Sequence, residues 1–163
     1  MDILRWTEAR FVDDLRLRLV ASDSGLRVVE FVPFHPLEGE QRDTDPVLRE
    51  SVAQLRAYFT RKLRHFDLPL DLQGTPFQLR VWKALVKIPY GEARSYSQIA
   101  VAVNSPNAVR AVGAANGANP VAIIVPCHRV IGSDGKLTGY GGGLPLKKKL
   151  LELEGAHALP LAL

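Results

Sequence analysis

The period of the hydrophobic pattern changes along this chain, and that change constrains the fold more than anything else in it. In "LRLRLVAS", Leu15, Leu17 and Leu19 alternate with Arg16 and Arg18, the period-2 signature of a strand with one buried face. "SDSGL" is a hairpin turn, and "LRVVEFV" is the returning strand. Asp45 then caps a helix with Pro46 at its first position. Leu48, Val52, Leu55, Phe59 and Leu63 form its apolar stripe, placed to cover one face of the sheet. "LPLDL" (68–72) has the look of a further strand. From Thr75 onward the period is helical, with Phe77, Val81, Leu85 and Ile88 on one face and Trp82 beside them. Between the two regimes lies "QGTP", a loop, a cap and a first helical residue. The expected division is therefore 1–73 and 74–163.

The second part carries two further start signals. "PYGE" is a turn, and Ser95 with Gln98 has capping-box spacing for a short helix through Val103. After a break at "NSP", Ser105 is the expected cap and Pro106 the first residue of a helix over "PNAVRAVGAANGAN". Two short helices joined by a tight turn make a helix-turn-helix pattern. The second helix is rich in Ala108, Ala111, Gly113, Ala114 and Ala115. Such residues permit either close helix packing or close approach to a nucleic-acid backbone. Arg110 is the one long side chain at its centre.

Only one cysteine is present, so an internal disulfide is impossible, and no Cys/His cluster has metal-ligand spacing. That cysteine stands in "IIVPCHRVI". The apolar run Val121–Val125 has the composition of a short buried strand, ended by Pro126. Cys127 and His128 would sit where the backbone leaves the core. A free thiol has a pKa near ~8.5, so a nucleophilic role needs a base and a group that orients it. His128 can be the base, and either Glu152 or Glu154 of "LLELEGA" the orienting carboxylate. The alternative is a buried, inert cysteine.

Charge and composition add limits. A formal net charge of +4, with 47% hydrophobic and 23% charged residues, fits a globular protein with a polyanionic partner. No apolar run approaches the ~18 residues of a membrane span, and "MDILRWTEAR" has no secretory h-region. A cytoplasmic, metal-free protein is expected.

"PCHRVIGSDGKLTGYGGGLPLKKKLLELEG", "NAVRAVGAANGANPVAIIV" and "IPYGEARSYSQIA" together closely resemble the O6-alkylguanine-DNA alkyltransferases (methylated-DNA–protein-cysteine methyltransferases). The resemblance runs from about Thr75 to Gly155, and its Pro-Cys-His-Arg-Val motif between Asn-Pro and Gly-Tyr-Gly-Gly-Gly is highly specific. It implies an α+β fold: an N-terminal ribonuclease-H-like antiparallel sheet with a helix, then a mostly helical, winged-helix-like domain carrying the helix-turn-helix. It also implies direct reversal of DNA damage. An alkyl group passes irreversibly, once per molecule, from O6-alkylguanine, and from O4-alkylthymine, to the cysteine.

By that resemblance Cys127 is the alkyl acceptor. His128, through a bridging water, is its base, and Glu154 orients His128. Asn119 links the recognition helix to the active-site strand through backbone hydrogen bonds. Tyr96 helps rotate the target nucleotide and protonates the leaving guanine. Arg110 fills the gap in the base stack, while Ala108, Ala111 and Gly113 press against the minor groove. Tyr140 and Gly141, with the backbone of Val130 and Ser133 and support from Lys147, line the guanine pocket. Gly141 departs from the serine that many members carry there, which leaves a backbone amide to face the alkylated oxygen. No cofactor or metal is implied. The partner is double-stranded DNA bound in its minor groove with one base flipped out, there is no membrane partner, and the protein acts as a monomer, with cooperativity on DNA left open.

Rival classes are a base-flipping binding protein, against which Cys127 argues, a major-groove regulator, and a cysteine hydrolase. A regulator would need long polar side chains where "AVRAVGAANG" offers mainly alanine and glycine. No oxyanion motif supports the hydrolase.

Overall fold

The computed structural model describes residues 2–156. The chain divides into two compact units, residues 1–73 with 120–122, and residues 74–119 with 123–163. Three residues of the expected second domain, Pro120–Ala122, thus group with the first unit.

The first unit is a four-stranded sheet with one long helix. Strands β1 (Arg5–Arg10), β2 (Arg16–Ser22) and β3 (Gly25–Phe31) run antiparallel, and β4 (Glu40–Gln41) lies parallel to β1, giving the order β3-β2-β1-β4. The antiparallel sheet that was expected is present in β1–β3, and only the two-residue β4 runs parallel to its neighbour. Leu17 and Leu19 point inward while Arg16 and Arg18 do not. The alternation fails after Leu19, where Val20 and Ala21 are both buried, because the register shifts between them.

Helix α1 (Pro46–Phe59) starts where Asp45 accepts the Leu48 amide at 3.1 Å. The same carboxylate takes Arg5 Nε of β1 at 2.6 Å, so one side chain both caps the helix and ties it to the sheet. Leu48, Leu55, Tyr58 and Phe59 are buried, but the helix ends at Phe59 and Arg61 turns left-handed at φ 62, so Leu63 lies outside the stripe. The strand expected at 68–72 is a single bridge, Leu26 to Leu70. Gly25, at φ +145, packs so closely there that a Cβ would lie 2.5 Å from the Pro69 carbonyl oxygen. On the outer edge of β3, the Val29 amide donates to Pro120 O at 2.9 Å and the Ala122 amide to Val29 O at 3.2 Å.

The second unit packs α2 (Pro76–Val86), α3 (Tyr96–Ala102) and α4 (Val109–Gly117) around Val81, Trp82, Leu85, Ile99 and Val112. Thr75–Gln78 and Ser95–Gln98 both form complete capping boxes. Trp82 donates its indole N–H to Ala115 O at 2.8 Å, locking α2 to α4. Short parallel strands β5 (Arg94–Ser95) and β6 (Val130–Ile131) pair, and α5 (Leu144–Leu153) packs Leu151 against Ile131, Leu137 and Ala156.

Two sequence expectations are corrected in this region. Helix α4 begins at Val109 with Ala108 as its uncapped start, while Ser105–Ala108 closes a turn through the Ala108 amide and Ser105 O. The proline signal marked that turn instead of the helix. Nor is Val121–Val125 a strand. Val121 forms one bridge, Ala122–Ile124 turn, and Ile123 takes φ 72, a strained conformation for a β-branched residue. All five side chains are buried all the same. An unbroken apolar run reports burial, and burial does not require a strand.

Candidate active site

The strained turn delivers Cys127–Arg129 as a single 3-10 turn, with the Cys127 amide bonded to Val125 O at 2.8 Å. Asn119, just past α4, donates Nδ2 to Val125 O at 2.8 Å, and Asn116, in the last turn of α4, approaches Cys127 O with Nδ2 at 3.4 Å. Both amides hold the backbone leading into the cysteine. Cys127 is a free thiol with only 7% of its surface exposed. Burial pushes its pKa up, while a hydrogen bond with Asn119 and the Lys147 charge pull the other way.

His128 is fully buried and bonds Glu154 through Nε2 at 2.8 Å. Glu154 accepts, so Nε2 carries the proton and Nδ1 is left with a lone pair. Nδ1 has no hydrogen-bond partner among the described residues. Burial depresses the imidazole pKa against the opposing pull of Glu154, which keeps the ring neutral and able to take a proton. Glu152 is exposed, and the carboxylate at His128 is Glu154.

Glu154 is held from a second side. Arg129 Nε donates to Oε1 at 2.8 Å and its Nη2 to Oε2 at 3.0 Å, while Nη1 donates to Ile88 O at 2.7 Å. Burial disfavours the charged carboxylate, but His128 and Arg129 outweigh it and hold its pKa at about 2. Arg129 is buried and faces the Tyr90 ring at 5.8 Å. Sequence reasoning overlooked Arg129 and Asn116. The signal for Arg129 lay in plain view, one residue after His128, but an arginine in that position carries no mark of burial.

Around the thiol, Lys147 of α5 is fully buried and donates Nζ to Thr138 O at 2.9 Å. Burial lowers its pKa to about 8, with the cysteine pulling upward. Thr138 O also accepts from Tyr96 Oη at 3.2 Å, and Thr138 Oγ1 donates to Tyr96 Oη at 3.1 Å. Thr138, which drew no notice in the sequence, thus positions both Tyr96 and Lys147. The Tyr140 ring meets His128 edge-on at 6.5 Å, and burial with the charges of Cys127 and Glu154 keeps its phenol protonated. Val130 is buried on β6, and Ser133 is exposed in the hairpin closed by Gly132 N–H to Lys136 O at 2.9 Å. Gly141 follows Tyr140 in a turn closed by Gly143 N–H to Tyr140 O at 2.9 Å, and Gly143, at φ +93, starts α5.

The face of α4 opposite the core carries Arg110, Ala111, Ala114 and Gly117, all exposed. One long cation stands on an otherwise flat, small-residue surface. Ala108 is half-buried at the helix start. Gly113 turns toward Tyr96, where a Cβ would lie 3.9 Å from the ring, so it lies off the outer face. Tyr96 is half-exposed and belongs to both the helix surface and the thiol surroundings.

Residues 76–156 match the family model "6-O-methylguanine DNA methyltransferase, DNA binding domain", and residues 16–72 match the ribonuclease-like domain of the same protein. Curated methylated-DNA–protein-cysteine methyltransferases are similar. That of Mycobacterium tuberculosis is 65% identical over 108 residues, 66% of this chain and 66% of the relative's own length. That of Methanosarcina barkeri is 52% identical over 144 residues, 83% and 88% of the two chains. The crystal structure of Mycobacterium tuberculosis OGT in complex with DNA superposes with a TM-score of 0.86 at 49% identity, covering 93% of each chain. No helix among the described residues is long and apolar enough to cross a membrane. On these matches the chain belongs to the methylated-DNA–protein-cysteine methyltransferase family.

Proposed function

We propose that this protein repairs DNA by moving an alkyl group from the O6 atom of guanine, and from O4 of thymine, onto Cys127. The observation that carries the reading is the buried row Cys127, His128, Glu154 and Arg129, a nucleophile beside a neutral base whose far nitrogen is fixed by a doubly held carboxylate. His128 Nδ1 takes the thiol proton through a water, and Lys147 stabilises the thiolate that forms. The sulfur attacks the alkyl carbon, an S–C bond forms and the C–O bond breaks. The guanine leaves as an anion and takes a proton from Tyr96.

An alkylated base inside a duplex is out of reach of a buried thiol, so the nucleotide must be flipped out at a cost of a few kcal/mol. Helices α3 and α4 act as the helix-turn-helix, and the small-residue face of α4 presses into the minor groove. Arg110 occupies the space the nucleotide leaves. Tyr140, Gly141, Val130 and Ser133 receive the base. The thioether is a poor leaving group, and the chain has no second cysteine to remove the alkyl group, so each molecule acts once. The protein works as a cytoplasmic monomer, where a reducing environment keeps Cys127 a thiol.

The test is incubation with a duplex carrying one O6-methylguanine. The wild type should acquire the methyl group, whereas Cys127→Ser should bind the duplex and acquire none. Transfer by Cys127→Ser would overturn the reading.

A further inference from the structure

A second basic surface lies on the second unit, lined by no residue of α4 or of the cysteine turn. Arg80, Lys83 and Lys87 form a row on α2 and just past its end, and with Arg94, Gln98 and Asn104 they line an open basin of about 500 Å³. Every lining residue falls between 80 and 104, so neither α4 nor any thiol neighbour contributes. Arg94 is paired with Glu92 at 3.0 Å. Arg80, Lys83 and Lys87 have no carboxylate partner among the described residues, and Arg80 rests over the Phe77 ring at 5.5 Å. Three uncompensated cations in one concavity repel one another, an arrangement that an anion relieves.

Spacing selects the kind of anion. Positions 80, 83 and 87 recur at helical intervals and span about 10 Å along the helix axis, at ~1.5 Å per residue. That row suits successive phosphates of a strand better than one compact anion. Gln98 and Asn104 supply the neutral amides that commonly add hydrogen bonds to phosphate oxygens. We propose that this basin takes the phosphodiester backbone of a second DNA segment, distinct from the one against α4, so that the protein passes directly between segments during its search. The proposal rests on the DNA-repair reading above. Three phosphate contacts bind weakly alone, but the second segment is a neighbour at high local concentration.

The test is dissociation of the protein from a labelled undamaged duplex as unlabelled competitor duplex is raised. For the wild type the dissociation rate should climb with competitor concentration. With about three phosphates engaged, that acceleration should fall about 40-fold between 50 and 200 mM salt. The variant Arg80→Gln/Lys83→Gln/Lys87→Gln should dissociate at a rate independent of competitor, while its methyl transfer from free O6-methylguanine base matches the wild type. A wild-type rate independent of competitor, or an unchanged dependence in the variant, overturns the proposal. Equal acceleration by polyglutamate overturns the assignment to a nucleic-acid backbone. A wild type that transfers from the free base and from DNA, yet shows no competitor dependence, leaves the repair reading standing and removes only this one.

Discussion

Replacing Glu154 with Gln removes the one charge on which both His128 and Arg129 depend. The carboxylate pKa is held at about 2 against an ordinary 4.5. A difference of about 2.5 units at 1.36 kcal/mol each corresponds to about 3 kcal/mol of stabilisation of the ionised form in the fold. A glutamine keeps the shape but leaves Arg129 as a buried cation with no counter-charge, which falls in the range measured for broken buried pairs. For a chain of this size the loss should lower Tm by about 6–12 °C at neutral pH. The sign follows from the depressed pKa. The contribution is fully present above pH 4.5 and is lost as the pH falls toward 2, so the gap between wild type and variant should narrow over that window. Urea unfolding from pH 7 to 3 measures it. The same variant should transfer methyl groups more slowly, with its pH–rate profile moved to higher pH, because His128 becomes a weaker base. A stability gap that stays constant down to pH 3 would mean that packing, not charge, is lost. An unchanged rate and profile would remove Glu154 from the activation of Cys127.

Arg110→Ala should lose tens- to hundreds-fold in rate on a lesion in duplex DNA, as a few kcal/mol of unstacking goes unrepaid, and lose little on free O6-methylguanine base. Equal losses on both substrates would refute the gap-filling role. Lys147→Met should move the pH–rate profile upward, since the thiolate loses the Lys147 charge that favours it. It should also abolish the wild type's rise in stability between about pH 8 and 10.5, the interval over which this lysine, with its folded pKa at about 8, sheds its proton earlier in the fold than in the unfolded chain. Gly25→Ala should destabilise the first unit by about 1–3 kcal/mol, because a side chain at φ +145 is strained and would meet the Pro69 carbonyl. A denaturation midpoint equal to the wild type's would contradict that.

Features governed by local chemistry were readable in the sequence. Asp45, Thr75 and Ser95 announce their helices because a cap needs only one oxygen and an amide two or three residues on. Leu17 and Leu19 reveal β2 because it is central and one-sided. Strand β1 escaped notice because, of "RWTEAR", only Thr7 is buried, which leaves no apolar alternation to see. The turn at Ile123 was hidden for the opposite reason, since five apolar residues in a row carry no information about backbone direction. At the site, Cys127 and His128 were visible as an unusual pair. Glu152 and Glu154 could not be separated by spacing, and only the resemblance favoured the second. Arg129, Thr138 and Asn116 act through long-range bonds to Glu154, Tyr96 and the Cys127 carbonyl, and no local pattern encodes such partners.

In the proposed reaction Cys127 receives the alkyl group, once and without return. Titrating the protein with an excess of duplex containing O6-methylguanine, then measuring intact and peptide masses, tests it most directly. The methyl content should plateau at one group per chain, all of it on the peptide containing Cys127, with an equal amount of unmodified guanine restored in the DNA. Transfer beyond one equivalent, or a methyl group on any other residue, would contradict it.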